Sequence, residues 1–143
     1  MKRFIYCLLA VCFCFSLISC EKDGGDDSGY SSKIIGSWTE YKSYEEYDGD
    51  SYWWYWEDGD DIDVLIFEPG GEGMDIYYCP HDNDTEYEYF DWKIKGDKIT
   101  ISWPDDDEVI VGTIIKLTDE EMVIESNDEG ELYRGYYLRV EED

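Results

Sequence analysis

Five consecutive aromatic residues, Tyr52-Trp53-Trp54-Tyr55-Trp56, stand between acids. Asp48 and Asp50 precede them, and Asp58, Asp60, Asp61 and Asp63 follow. On a strand, successive side chains point to opposite faces, so Trp54 and Trp56 would share one face and Trp53 and Tyr55 the other. A strand that only feeds a core needs one apolar face. Aromatics on both faces beside carboxylates can stack on sugars or small apolar molecules, while the acids accept hydrogen bonds from hydroxyls. Trp53, Trp54, Tyr55 and Trp56 are therefore the candidate ligand contacts. The plainer alternative keeps one face in a core and packs the other on a loop.

Other chemistries find less support. A second acidic run, Asp105-Asp106-Asp107-Glu108, follows Pro104. Hard cations want many oxygen ligands, but neither acidic run has the D-x-D-x-D-G spacing of a helix–loop–helix calcium site, so no metal site is assigned. Residues 70–78 fit the calcium-binding nonapeptide of β-rolls once, whereas such sites are built by stacked copies. A hairpin turn explains those glycines better. His81 is the sole histidine and lacks Cys neighbours, a poor zinc site. Nucleophile elbow, zinc-protease, phosphate-loop and dinucleotide motifs are all missing, so neither catalytic residues nor a cofactor are expected. Carboxylates are too numerous to single out an acid–base pair, and only a buried one would leave the ordinary pKa range.

The start of the chain gives an address. Lys2 and Arg3 precede an apolar run from Phe4 to Leu17, and Ser19 is the small residue at a cleavage site, the order of a secretory signal peptide. Leu17-Ile18-Ser19-Cys20 resembles the lipobox of bacterial lipoproteins, in which the Cys is lipidated and becomes the first mature residue. The resemblance implies a signal peptide over residues 1–19, a lipidated Cys20, and attachment to the outer membrane of the cell envelope through acyl chains. An acidic, Gly-rich tether follows over residues 20–33, and the domain spans 34–143. All 37 acids and nine of the 11 basic residues lie beyond residue 19, leaving a mature charge of −28. Such an anion repels phosphate backbones, so no nucleic-acid partner is expected; a basic protein partner or a cation is compatible. Removal of the signal leaves Cys79 as the one thiol besides Cys20, and it reads as a small buried apolar residue rather than a nucleophile.

From Ile34 onward, runs of β-branched and aromatic residues alternate with Gly, Asp and Asn turns. Strands are expected near 34–43, 51–56, 62–67, 74–79, 85–95, 98–103, 108–117, 122–125 and 131–140. Phe90, Trp92 and Ile94 share a face before Gly96-Asp97, and Ile99, Ile101 and Trp103 share one after it. Sequential strands with short connections imply an antiparallel meander, and closure removes its two sticky edges. The fold class is all-β, a small antiparallel up-and-down β-barrel of about eight strands, with a β-sandwich as the alternative.

Gly36-Ser37-Trp38 resembles the G-x-W signature that opens lipocalins. Phe67 with its Gly-rich hairpin to Gly73, the segments Trp92–Ile101 and Ile115–Ile124, and Tyr136-Tyr137-Leu138-Arg139 are similar to bacterial lipocalin-like lipoproteins. The resemblance implies a closed barrel with Trp38 near one end and a basic residue of the last strand packed over it, Arg139 before Arg134. It also implies a non-enzymatic, membrane-anchored binder of a small apolar or sugar-like ligand. The alternative is a filled barrel that docks a protein partner, as protease inhibitors do. A lumen above ~300 Å³ favours a ligand.

Overall fold

A single helical turn, α1 (Tyr30–Lys33), leads into nine antiparallel strands. These are β1 (Gly36–Tyr47), β2 (Asp50–Tyr55), β3 (Ile62–Phe67), β4 (Glu72–Cys79), β5 (Asp84–Lys95), β6 (Lys98–Trp103), β7 (Glu108–Leu117), β8 (Glu121–Asp128) and β9 (Glu131–Arg139). They belong to a computed structural model that describes residues 29–141. The signal segment, Cys20 and the tether through residue 28 lie outside the described residues.

Eight strands close a barrel and one does not. The order runs β1-β3-β4-β5-β6-β7-β8-β9, and β9 returns to β1. Strand β1 pairs with β3 over Gly36–Thr39 only, while it pairs with β9 from Trp38 to Glu46. A register shift between Glu40 and Lys42 bends β1 away from β3. The edge so freed is taken by β2, which pairs with β1 from Lys42 to Tyr47 and hydrogen-bonds to no other strand. The aromatic run is thus a flap beside the barrel rather than a stave of it.

Alternation fixes what faces inward. Phe90, Trp92 and Ile94 on β5 and Ile99, Ile101 and Trp103 on β6 are buried. The hairpin between them turns on Gly96, whose φ of 63° is the left-handed conformation that a tight two-residue loop needs. Phe67, Phe90, Trp92 and Trp103 form a chain of tilted and edge-on rings with centroids 5.3–5.7 Å apart. Ile114, Leu117, Met122 and Ile124 complete this core from β7 and β8.

The core fills one end of the barrel. There Ile34 and Trp38 are fully buried, and Trp38 Nε1 donates to the Ile34 carbonyl at 2.8 Å. The Arg139 guanidinium lies 4.2 Å from the Trp38 ring centroid. Its three nitrogens donate to the carbonyls of Ile35, Lys33 and Asp119 at 2.8, 2.7 and 2.6 Å, which straps α1 across the base. Stacking and fixed-fork donation are both guanidinium properties that an ammonium lacks. Arg134 instead lies on the outer face, donating to Glu125 at 2.5 and 2.8 Å. Cys79 differs from the expectation of a core thiol. It ends β4 at the opposite rim, half-buried, where strand pairing stops and only loop side chains cover it.

Candidate functional site

Above the aromatic floor the inner face changes character. The register pairs Glu40 with Tyr137, Ser43 with Gly135 and Glu45 with Tyr133 across β1 and β9. Asp63 pairs with Tyr77 and Leu65 with Asp75 across β3 and β4, and Asp75 with Glu88 and Tyr77 with Glu86 across β4 and β5. Trp38, Leu65 and Phe90 mark these parities as inward. Six carboxylates therefore face the open half: Glu40, Glu45, Asp63, Asp75, Glu86 and Glu88. Among the described residues no Lys or Arg shares that surface. Lys42 and Arg134 lie on the outer face, while Lys93, Lys95, Lys98, Lys116 and Arg139 sit outside or at the closed end.

A cavity of about 320 Å³ is lined by Asp63, Asp75, Tyr77, Glu86 and Glu88. Asp63 and Asp75 stand carboxyl to carboxyl, each with a buried Oδ1 that meets no donor. Burial is the main reason that the Asp75 pKa rises to about 8, with Asp63 and then Glu88 adding to it. Glu40 lies deeper and accepts a hydrogen bond from Tyr133. Burial raises its pKa to about 7 against that hydrogen bond, and the charges of Asp63 and Glu45 assist. Gly135 makes room for it, since a Cβ there would come within 2.7 Å of Glu40 Oε1 and of the Tyr137 ring and hydroxyl. Burial likewise raises the Tyr137 and Tyr133 phenols far above their usual range.

Two more buried polar atoms lack a hydrogen bond. Ser43 is fully buried and its Oγ has no partner, although the Tyr133 phenol is near. Trp103 is buried against Phe90 at the floor, and its Nε1 has none either. Buried polar atoms are ordinarily satisfied, so the Asp63 and Asp75 oxygens that line the hollow are places for a donor from water or a ligand.

The aromatic flap divides between two surfaces. Trp54 pairs with Ser43 and Tyr52 with Glu45, which puts both on the lumen side. Trp53 pairs with Tyr44 and Tyr55 with Lys42 on the outer side. Trp53 packs there against Tyr44 and Tyr136 at 4.9 and 5.7 Å, and the Lys42 ammonium lies 4.5 Å from the Tyr136 ring and 5.6 Å from Trp53. Trp54, Tyr55 and Trp56 line a second depression of about 490 Å³ with Glu45, Asp60, Asp61 and His81. Tyr77 of the inner cavity donates to Asp61 of this outer one, so the two share a wall.

Three of the four aromatic residues singled out by sequence thus come together at one depression, while Trp53 faces away. The lumen carboxylates were missed. The signal was present in parity: Glu86, Glu88, Phe90, Trp92 and Ile94 alternate in phase, so whatever face buries the rings also carries the acids. No three His, Cys, Asp or Glu side chains among the described residues converge closely enough to hold a metal ion.

Comparison with known proteins bears on the fold. Residues 34–124 match the family model of the lipocalin-like domain. A lipocalin-like protein from Bacteroides uniformis superposes with a TM-score of 0.56 at 15% identity, covering 76% of this chain and 99% of that one. An uncharacterized protein from Bacteroides eggerthii gives 0.55 at 17% identity, covering 75% and 99%. Comparison with curated protein sequences gives no significant match. The family match over most of the barrel, together with the closed eight-strand ring and its Trp38–Arg139 base, places this chain in the lipocalin-like domain family.

Proposed function

We propose that the protein is a non-enzymatic carrier or sensor that holds one small ligand in the open half of its barrel. The observation that carries this is the hollow above the floor. Its inner wall bears buried polar atoms without partners, where a filled barrel would bear interlocked apolar side chains. The volume, about 320 Å³, suits a compact molecule rather than a long acyl chain. Of the two expected classes, apolar or sugar-like, an apolar ligand would meet carboxylates on most walls. A polar or amphipathic one fits better. The sequence-derived contacts Trp54, Tyr55 and Trp56 belong in this proposal at the mouth.

The lipobox adds a membrane anchor at Cys20. Strand β1 starts at the closed end, so a tether entering through α1 would leave the mouth pointing away from the bilayer. Two acyl chains hold a domain there stably. Protein carrying Cys20→Ser should move from the detergent phase to the aqueous phase in a detergent-partition assay.

Binding is tested by intrinsic tryptophan fluorescence of the tether-free domain against a panel of glycans, short lipids and small amines. A saturable change with at least one class supports the reading, because Trp54 and Trp56 line the depression that shares a wall with the hollow. A flat response to the whole panel contradicts it. The exposed Trp53–Tyr44–Tyr136 surface with Lys42 favours one second reading, docking of a protein on the outer face of β2. Ligand titration would leave Trp53→Ala and wild type indistinguishable under the first reading.

A further inference from the structure

We infer that the open half of the barrel is built to receive a small organic ammonium ion, its charge set between Asp63, Asp75 and Glu88 and its apolar body resting on the aromatic floor. This rests on the ligand-binding reading above and narrows it to a chemical class.

Four observations converge. Every charged side chain on the inner face of the open half is an acid, among the described residues. The carboxyls line an open hollow, Asp63 and Asp75 half-buried and Glu86 and Glu88 exposed, and its volume exceeds what a bare ion needs. Three-ligand metal geometry does not occur there among the described residues. The buried Oδ1 atoms of Asp63 and Asp75 have only each other's carboxyl and no basic side chain beside them, and the fully buried Ser43 on the same face has only the Tyr133 phenol near. An ammonium supplies three N–H donors from one atom that also carries the charge opposite to the carboxylates. Beneath the acids, Phe90 and Trp103 lie 5.7 Å apart with the indole N–H unpaired. Trp54 on the lumen side and Tyr77 in the cavity wall provide ring faces toward a cation.

The pairing also accounts for the electrostatics. Asp75 faces Asp63 from β3, Glu88 from β5 and the Tyr137 phenol from β9, and Glu40 of β1 lies beyond them. With no cation among them, Asp75 keeps its proton near neutrality. An arriving ammonium replaces that proton, which leaves to solvent. Binding should therefore tighten as pH rises toward about 8, while the ligand remains protonated.

Calorimetry with three probes of one shape tests this on the folded domain in 0.3 M NaCl, where loose surface attraction is screened. The probes are phenethylamine, phenethyl alcohol and 3-phenylpropanoate. Phenethylamine should bind at least about tenfold more tightly than the alcohol, and 3-phenylpropanoate should not bind. Asp75→Asn should weaken the amine at least about tenfold with unchanged circular dichroism, and the outward-facing Asp91→Asn should have no effect. If Asp75→Asn fails to fold, Glu88→Gln gives the same test. Alcohol binding equal to amine binding overturns the ammonium assignment and leaves a ligand-binding barrel. Amine binding unaffected in Asp75→Asn or Glu88→Gln, or displaced by calcium chloride alone, also overturns it. Silence from all three probes overturns it too, and only silence from the fluorescence panel as well removes the barrel's ligand role.

Discussion

Asp75 and Glu40 make stability depend on pH in an unusual direction. Each folded pKa, about 8 and about 7, lies above the unfolded carboxylate value near 4. Such a group binds its proton more tightly in the folded state. Its stabilising contribution is complete below about pH 4, declines as pH climbs, and is gone above the folded pKa. The domain should therefore melt at a lower temperature at about pH 8.5 than at about pH 5. Asp75→Asn should raise Tm by roughly 3–6 °C at the higher pH and change it little at the lower. A scanning calorimetry series shows this, and equal slopes for both proteins would contradict it. Gly73 is a second sensitive position. A Cβ there would strike the Phe90 ring and lie 2.6 Å from the Ile66 carbonyl oxygen, which is backbone and cannot swing aside. Gly73→Ala should cost about 1–3 kcal/mol in urea unfolding. Arg139→Lys should cost roughly 2–4 kcal/mol, because one ammonium cannot stack on Trp38 and also reach three carbonyls.

The role of β2 is an element-scale matter. All nine strands were legible in the sequence, because alternation of rings and β-branched residues with acids survives along each of them. What alternation does not encode is which neighbour a strand takes. The bulge at Glu40–Lys42 frees the β1 edge, and nothing in the local residue pattern announces it. The aromatic run was therefore readable as a strand with two apolar faces, but not as a flap whose faces serve different surfaces. The lumen acids were hidden for a related reason. An acid at an inward parity looks like solvated surface until the barrel closes around it. The flap yields a clean contrast between neighbours. Trp53→Ala should lower stability by about 1–2 kcal/mol through loss of packing on Tyr44 and Tyr136, and leave ligand titration unchanged. Trp54→Ala should leave the melting temperature within about 2 °C and weaken ligand binding at the mouth.

At the scale of the molecule the open rim of the barrel is crowded with acids. The loops at the open rim carry Asp48, Asp58, Asp60, Asp61, Asp82 and Asp105-Asp106-Asp107. Acidic runs far apart in sequence thus encircle one mouth because up-and-down connectivity sends alternate loops to the same end. The other end mixes Lys33, Lys95, Lys98 and Arg139 with Glu68, Glu72, Asp97, Asp119 and Glu120. A negative funnel raises the local concentration and on-rate of cations, and its effect falls with added salt. The same arrangement explains how a chain of net charge −26 folds: repulsion is spread over solvated loops, while the apolar core at the closed end holds the structure.

Proton release on binding tests the central claim most directly. Phenethylamine is titrated into the wild-type domain near pH 7 in two buffers that differ in ionisation enthalpy. If the lumen acids form an ammonium site, the observed heats differ, and the difference corresponds to a substantial fraction of one proton released per ligand bound, and it disappears in Asp75→Asn. Binding with identical heats in both buffers, or with proton uptake, would contradict an acid pocket that exchanges its own proton for the ligand's charge.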